Sequence, residues 1–323
     1  MKNLKLTHLL FMAIILFSTA CKKEPKNPVN SAKTAKEFVE VFGPKTQTIT
    51  INPSIDNSFT LKGGTKITIP ANAFSWGTNT PSESITIEAM EMLKRSDVLF
   101  SGTNTNHISG APLVSDGFIY LNASTNGVPL PKATLKPIKI AIPTDRNGFT
   151  LIWEGVEKVG EDDQMAWQAP GDKPNGAGGM QREVVAQNSE FAFNMGTLGW
   201  INCDVFYSYA NPKTTTTVEL LNNPGSLASF RGFSGETFVF FCAKGSNVAA
   251  QLYTLDGPNK VKSYDNVMPI GALGKYLSFS IKDGKYYYAE LETTITANQN
   301  ITLNLTETTE AQIQTAINGL NTY

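Results

Sequence analysis

The stretch Gly63-Gly64-Thr65-Lys66-Ile67-Thr68-Ile69-Pro70-Ala71-Asn72-Ala73-Phe74 holds a turn, a strand and a stop in close succession. The paired glycines make the turn. Ile67 and Ile69 then share one face and Lys66 and Thr68 the other, the period of a half-buried strand. Pro70 ends the strand because it cannot donate to a ladder. The same period recurs on both sides. Gln47-Thr48-Ile49-Thr50-Ile51-Asn52 alternates, Phe59-Thr60-Leu61 follows it, and Ser84-Ile85-Thr86-Ile87-Glu88-Ala89-Met90 alternates again. Ile119-Tyr120-Leu121-Asn122-Ala123 runs into Asn126-Gly127, a strong hairpin signal. Ile138-Lys139-Ile140-Ala141-Ile142-Pro143 closes the series. Short strands separated by turns, with almost no helical period, predict a β-sandwich over residues 46–145.

These residues also carry a resemblance. The glycine turn, alternating strand, proline and small-residue corner of Gly63–Phe74 are similar to the opening of the sandwich domain named for zonula occludens proteins and netrin receptors. Ile85-Thr86-Ile87 and Gly117-Phe118-Ile119-Tyr120-Leu121 fit the order of its later strands. Over most of its length the chain resembles lipoproteins of the Bacteroidota that join this module to a second β-domain. The resemblance implies a fold and says little about chemistry.

Residues 146–212 read as a β-rich connecting region. Phe149-Thr150-Leu151-Ile152-Trp153 and Gln164-Met165-Ala166-Trp167 predict two strands around Glu161-Asp162-Asp163, and Pro170 to Gly179 is a Gly/Pro-rich loop. Glu190–Met195 alternates and leads into Gly199-Trp200-Ile201-Asn202-Cys203-Asp204. In the lipoproteins resembled, such a run joins the two halves, which implies a buried, packing role for Trp200. Residues 213–323 predict a smaller sandwich, Ig-like or transthyretin-like by analogy. Its strands are Val218–Leu220, Thr237–Phe241, Tyr276–Ile281, Lys285–Ala289 and Ile301–Leu305, with Asp283-Gly284 as a hairpin turn. The chain then reads as a helix from Thr308 to Ile317, with Thr309 as N-cap and Ile313, Ile317 and Leu320 as its apolar stripe. A second short helix is expected over Thr34–Phe42.

The N-terminal residues give a location. Lys2 and Lys5 precede the apolar run Leu9–Phe17, which ends in Ser18-Thr19-Ala20-Cys21. A basic segment, an apolar segment and small residues make a signal peptide, residues 1–20, too short to span a membrane. A cysteine directly after the small residues resembles the lipidation site of bacterial lipoproteins. It implies an acylated Cys21, its palmitate-type chains in a membrane, and a tether over residues 21–45. Lys22-Lys23-Glu24-Pro25-Lys26-Asn27-Pro28 is polar and carries two prolines, as an extended tether should. An Asp in place of Lys22 would favour inner-membrane retention in enteric bacteria. Lys22 therefore implies the outer membrane, with periplasmic and surface sides both open.

Composition narrows the function. Loss of residues 1–20 removes two of the 27 basic residues and none of the 28 acidic ones, so the net charge moves from −1 to about −3. The body is not basic, which argues against a nucleic-acid partner. His8 leaves with the signal, so His107 is the one histidine for any Ser-His-Asp or Cys-His site, and a zinc site of several His and Cys ligands is excluded by count. The chain implies no cofactor. With Cys21 lipidated, Cys203 and Cys242 remain, as one disulfide or as two buried thiols.

Four candidates carry chemistry. His107-Ile108-Ser109 matches in part the His-aromatic-Ser motif at which some eukaryotic relatives of the sandwich module cut themselves; the resemblance implies attack by Ser109 on the preceding peptide. Glu161-Asp162-Asp163 offers carboxylates to calcium, but lacks the EF-hand series and reads better as a solvated hairpin tip. Tyr286-Tyr287-Tyr288 and Phe206-Tyr207-Ser208-Tyr209 are the aromatic candidates for a sugar-binding face. Alternation puts Tyr286 and Tyr288 on one face of the strand and Tyr287 on the other. The sequence thus predicts a mostly β protein of two tandem β-sandwiches, a β-rich connection and a C-terminal helix. The expected role is a non-catalytic, membrane-anchored lipoprotein acting as a structural or adhesive module of the cell envelope. Its partners would be the lipid membrane, through Cys21, and an envelope protein or glycan. The alternative is a carbohydrate-binding component of a glycan uptake or degradation system.

Overall fold

A computed structural model describes residues 31–79, 82–159, 164–169, 183–207, 211–227 and 235–323. Cys21, the signal and most of the tether lie outside the described residues, as do Glu161-Asp162-Asp163, the loop 170–182, Ser208 and Tyr209. The fold is mostly β, with 52 % strand and 10 % helix.

The first described element is the expected helix, α1 (Ala35–Phe42). Thr34 caps it by accepting from the Glu37 N–H at 3.2 Å. Then come β1 (Gln47–Ile51), β2 (Asn57–Thr60), β3 (Lys66–Ile69) and β4 (Ile85–Met92). A six-residue helix that alternation does not reveal, α2 (Arg95–Phe100), follows. Asp97 secures its start by accepting from the Leu93 and Lys94 N–H groups at 3.1 and 3.0 Å. The chain continues through β5 (Leu113–Thr125), β6 (Val128–Pro129), β7 (Ala133–Pro143), β8 (Phe149–Val159), β9 (Gln164–Gln168), β10 (Glu183–Val185), β11 (Glu190–Thr197) and β12 (Gly199–Phe206). Asn126 and Gly127 join β5 to β6 with φ of 49° and 78°, the left-handed pair of a type I′ turn.

These strands build two sheets face to face. One runs β1-β4-β5-β12-β8-β10, with β6 and β9 attached; the other runs β11-β7-β3-β2. Ile51, Ile85, Ile87, Ile119, Leu121 and Ile201 of the first meet Ile67, Ile69, Ile138, Ile140, Phe191 and Phe193 of the second in one core. This is the sandwich that the alternating isoleucines predict, and β8 to β12 complete both sheets.

Beyond it lie β13 (Lys213–Thr214), β14 (Thr217–Leu221), β15 (Thr237–Ala243), β16 (Ala250–Leu252), β17 (Thr254–Leu255), β18 (Lys260–Lys262), β19 (Met268–Pro269), β20 (Leu273–Lys282), β21 (Lys285–Thr294), β22 (Asn300–Asn304) and β23 (Thr306–Thr308). Nine of them form a five-stranded sheet, β16-β15-β20-β21-β23, facing a four-stranded one, β17-β18-β14-β22, and β13 pairs with β19 as a two-stranded sheet. Asp283 and Gly284, at φ 50° and 75°, make the second type I′ turn, between β20 and β21. The last helix is α3 (Glu310–Gly319). Thr309 and Gln312 form a reciprocal capping box at its start, and Ile313 and Ile317 are buried.

Strand β15, Thr237-Phe238-Val239-Phe240-Phe241-Cys242-Ala243, is buried at every position. Its odd residues Val239, Phe241 and Ala243 enter the core of this second pair of sheets. Its even residues Phe238, Phe240 and Cys242 enter a third core, shared with Phe118, Trp153, Trp167 and Trp200 from the first half and with α1, α2 and α3. A strand covered on both sides needs an unbroken apolar run, which is what the sequence provides. The loop from Thr103 to Asn106 closes the join by hydrogen bonds. Thr105 N–H donates to the Ala249 carbonyl and Ala249 N–H to Thr105 Oγ1, both at 2.9 Å.

Cys203 and Cys242 are free, buried thiols in different cores. Burial pushes the Cys242 thiol up to about 12, so it stays neutral and inert. Asp204 is also fully buried, and desolvation holds its carboxyl well above the ordinary range. It sits beside Asn202, within the irregular register where β12 crosses β5.

Candidate functional site

Five residues from distant sequence positions line one groove, four of them on strands and Lys132 in the turn before β7. Trp200 on β12 lies opposite Tyr120 on β5, their rings 4.9 Å apart. Ile201 lies opposite Glu154 on β8, and Glu154 opposite Gln168 on β9. Tyr120, Glu154, Gln168 and Trp200, with Lys132, line an open groove of about 500 Å³ where β12 begins. Gly155 has a steric role: a Cβ there would stand 2.5 Å from Trp200 Cβ and 2.6 Å from Met165 Cε, so only glycine lets the tryptophan lie close to β8. Trp200 is buried, at 8 % exposure, as the sequence predicts. Alternation places the Tyr120 and Trp200 rings on the face of the sheet that enters the shared core and Glu154 and Gln168, in register with Ile201, on the other, so the groove draws its rings and its polar groups from opposite faces. Among the described residues, the side chains of Lys132, Glu154 and Gln168 have no hydrogen-bond or ion-pair partner. Their donors and acceptors remain free for a ligand.

His107 and Ser109 come together on a β-turn closed by the Gly110 N–H donating to the His107 carbonyl at 2.7 Å. Ser109 Oγ lies 2.8 Å from His107 Nδ1, and the Ser109 backbone N–H donates to the same nitrogen at 3.2 Å. Nδ1 thus accepts and is unprotonated in this arrangement. Burial lowers the imidazole pKa, which favours the neutral ring. The ring sits edge-on between Trp153 and Phe206, with centroids at 5.3 and 5.1 Å, while Ile108 and Ser109 are exposed.

The tyrosines alternate as expected. Tyr286 and Tyr288 face the shared core and Tyr287 faces the core of the second pair of sheets. Tyr286 is 4 % exposed, and its single hydroxyl proton is shared between Glu310 Oε2, 2.7 Å away, and the Ala32 carbonyl. Tyr288 donates to Glu290 at 2.6 Å. The three rings thus lie against core residues, with Tyr286 fastening α3 to the first residues described. Tyr207 is buried too. Among the described residues, no helix is long and apolar enough to cross a membrane, and no group of three or more His, Cys, Asp or Glu side chains is placed to hold a metal ion.

No family model, curated protein or solved structure matches the chain.

Proposed function

We propose that the chain is a lipid-anchored binding module of a bacterial cell envelope, held by an acylated Cys21 and presenting the Tyr120–Trp200 groove to a saccharide. The observation that carries this reading is the groove's composition. A volume of about 500 Å³ suits a small ligand. The half-buried Tyr120, backed by the buried Trp200, offers an aromatic edge to the apolar face of a sugar ring. An ammonium, a carboxylate and an amide with unspent hydrogen bonds suit its hydroxyls. The sequence supports the anchor and the outer-membrane location, and the rigid β-scaffold supports binding over turnover. The test is a glycan array followed by titration of the mature chain, carrying Cys21→Ser for solubility. A bound oligosaccharide whose affinity falls at least tenfold in Glu154→Ala and in Gln168→Ala is expected. The same substitution at Cys21 should release the protein from the membrane fraction. Failure to retain any glycan would sink the saccharide reading, and Cys21→Ser protein that stays in membranes would sink the anchor.

A second reading rests on the His107–Ser109 contact. One ring nitrogen lies within hydrogen-bond reach of both a nucleophilic oxygen and the nitrogen of the Ile108–Ser109 peptide. Nδ1 can take the Ser109 Oγ proton as Oγ attacks the Ile108 carbonyl carbon, then give it to the departing Ser109 nitrogen. The C–N bond breaks, an ester joins Ile108 to Ser109 Oγ, and water hydrolyses it. Intact mass of the purified protein tests this. Two fragments divided at Ser109, replaced by one full-length species in Ser109→Ala, are expected of a self-cleaving chain; a single full-length mass in the unaltered protein removes the reading.

A further inference from the structure

Arg95, at the start of α2, is 4 % exposed, and among the described residues no acidic side chain pairs with it. Its Nη2 donates to the Ala243 carbonyl at 3.0 Å and to the Ser246 carbonyl. Its Nε and Nη1 are buried with no hydrogen-bond partner. Among the described residues no ion pair includes it. The neighbouring acids are engaged elsewhere: Glu292 with Lys244 at 3.0 Å, Glu290 with Lys275 at 2.9 Å, and Asp97 with the N–H groups that start α2. The guanidinium lies 5.9 Å from the Tyr323 ring centroid, and the Lys244 and Lys275 ammonium groups lie 5.2 and 4.9 Å from it. A ring face softens a positive charge but does not neutralise it. A guanidinium cannot shed its proton to escape burial, and a buried ion is tolerated when something pairs with it.

The surroundings suit an external partner. Arg95 and Lys94 line a groove of about 430 Å³ with Ser246, Asn247, Asn321 and Tyr323, and no acidic side chain lines it. Asn247 and Asn321 already serve the protein, bonding to the Ser115 carbonyl and to Ser96. The Lys94 ammonium is exposed, and neither it nor the Ser246 hydroxyl has a side-chain partner among the described residues. An adjoining groove of about 610 Å³ shares Lys94, Ser246 and Asn247 and holds the Arg146–Asp116 pair. It also holds Asp145, so apart from the shared Lys94 it carries two acids against one base, and positive charge with no acidic side chain beside it is confined to the Arg95 end.

We infer that the Arg95 groove binds a phosphate or sulfate group, held by Lys94 and Ser246 in the field of the buried guanidinium. A tetrahedral oxyanion presents several acceptors to these donors at once and supplies the missing negative charge. The adjoining groove gives room for whatever the group is esterified to. This site is separate from the Tyr120–Trp200 groove and does not depend on it.

The test uses the mature chain with Cys21→Ser, melted and titrated calorimetrically at constant ionic strength as chloride is exchanged for inorganic phosphate or sulfate. A saturable rise in Tm and a measurable heat are expected, since a ligand that binds only the native state raises its stability. Arg95→Met, which keeps the length and removes the charge, should weaken binding at least tenfold. Lys94→Gln lies on an exposed position, should weaken it severalfold, and keeps the test valid if Arg95→Met fails to fold. Glycerol 3-phosphate and phosphatidylglycerol vesicles, with phosphatidylcholine as control, separate the two sources of the group. Saturation by the soluble ester supports a free phosphoester; vesicle binding competed by inorganic phosphate and lost in Lys94→Gln supports a lipid headgroup. No saturable effect of phosphate, sulfate or the ester, or the same effect in both variants as in the parent, overturns the inference.

Discussion

Replacing Phe279 with alanine is expected to cost about 3–5 kcal/mol of stability, the range for deleting a buried phenylalanine. The loss should appear at both ends of the chain at once. Phe279 has no exposed surface. Its ring stacks on Phe240 at 6.1 Å and meets Phe238 at 5.5 Å and Phe38 at 6.0 Å, so it joins β20 to β15 and to α1. The same core holds Trp153, Trp167 and Trp200. All four tryptophans precede residue 201, whereas Phe279 follows it. Tryptophan fluorescence therefore reads the half of the molecule that does not carry the substitution. In urea, the fluorescence midpoint should fall together with the far-UV circular dichroism midpoint. A fluorescence transition that stays at its original midpoint, after an earlier loss of dichroism, would show that the shared core does not couple the two halves.

Asn106→Ala is expected to cost about 2–4 kcal/mol, because it strands two buried backbone groups at roughly 1–3 kcal/mol each. Asn106 Nδ2 donates to the Gln251 carbonyl at 3.1 Å, and the Gln251 N–H donates to Asn106 Oδ1 at 2.8 Å. One amide side chain thus acts as a missing strand beside β16. The backbone of the same residue accepts from the Trp167 N–H at 2.9 Å, and its own N–H donates to Asn104 Oδ1 at 2.9 Å. Asn106 is 3 % exposed, so water cannot replace the lost partner without entering the core. Equilibrium denaturation of the variant measures the cost. A change below about 0.5 kcal/mol, the size of an ordinary surface substitution, would mean that the contact between Asn106 and Gln251 does not hold the halves together.

Strands and turns were legible because their signals are local. The isoleucine alternation of Lys66–Ile69 and Ile85–Met90, the Asn-Gly and Asp-Gly turns, and Thr309 before Ile313 and Ile317 each state their structure within a few residues. α2 was not legible. Six residues cannot show a helical period, and its cap comes from Asp97 reaching backwards, not from a Ser or Thr ahead of it. The double burial of β15 was hidden for another reason. Thr237–Ala243 announces an apolar strand, but only the fold shows that different cores cover its two faces. The candidate sites divide in the same way. His107 and Ser109 are two residues apart, so their contact follows from a turn. Tyr120, Glu154, Gln168 and Trp200 come near one another only through the pairing of four strands, with Lys132 added from the turn before β7, and Arg95 meets the Lys244–Asn247 turn from far along the chain. No spacing rule in a sequence encodes either groove.

The hydrogen bond from the Ala32 N–H to Glu310 Oε2 spans 278 residues, and the Tyr286 hydroxyl bonds to both ends of it. During synthesis, the segment carrying Phe38 stays without its Phe279 neighbour until nearly the whole body has been made. Closing contacts so distant is slow, because the entropy of a long loop is lost before the contact rewards it. Apolar α1 and the unfinished strand edges stay accessible in the meantime, a state prone to aggregation. Refolding yield is therefore expected to fall as protein concentration rises, because the contact that covers α1 closes last. Circular permutation that joins the two ends beside α3 should shorten that interval while leaving the finished architecture unchanged.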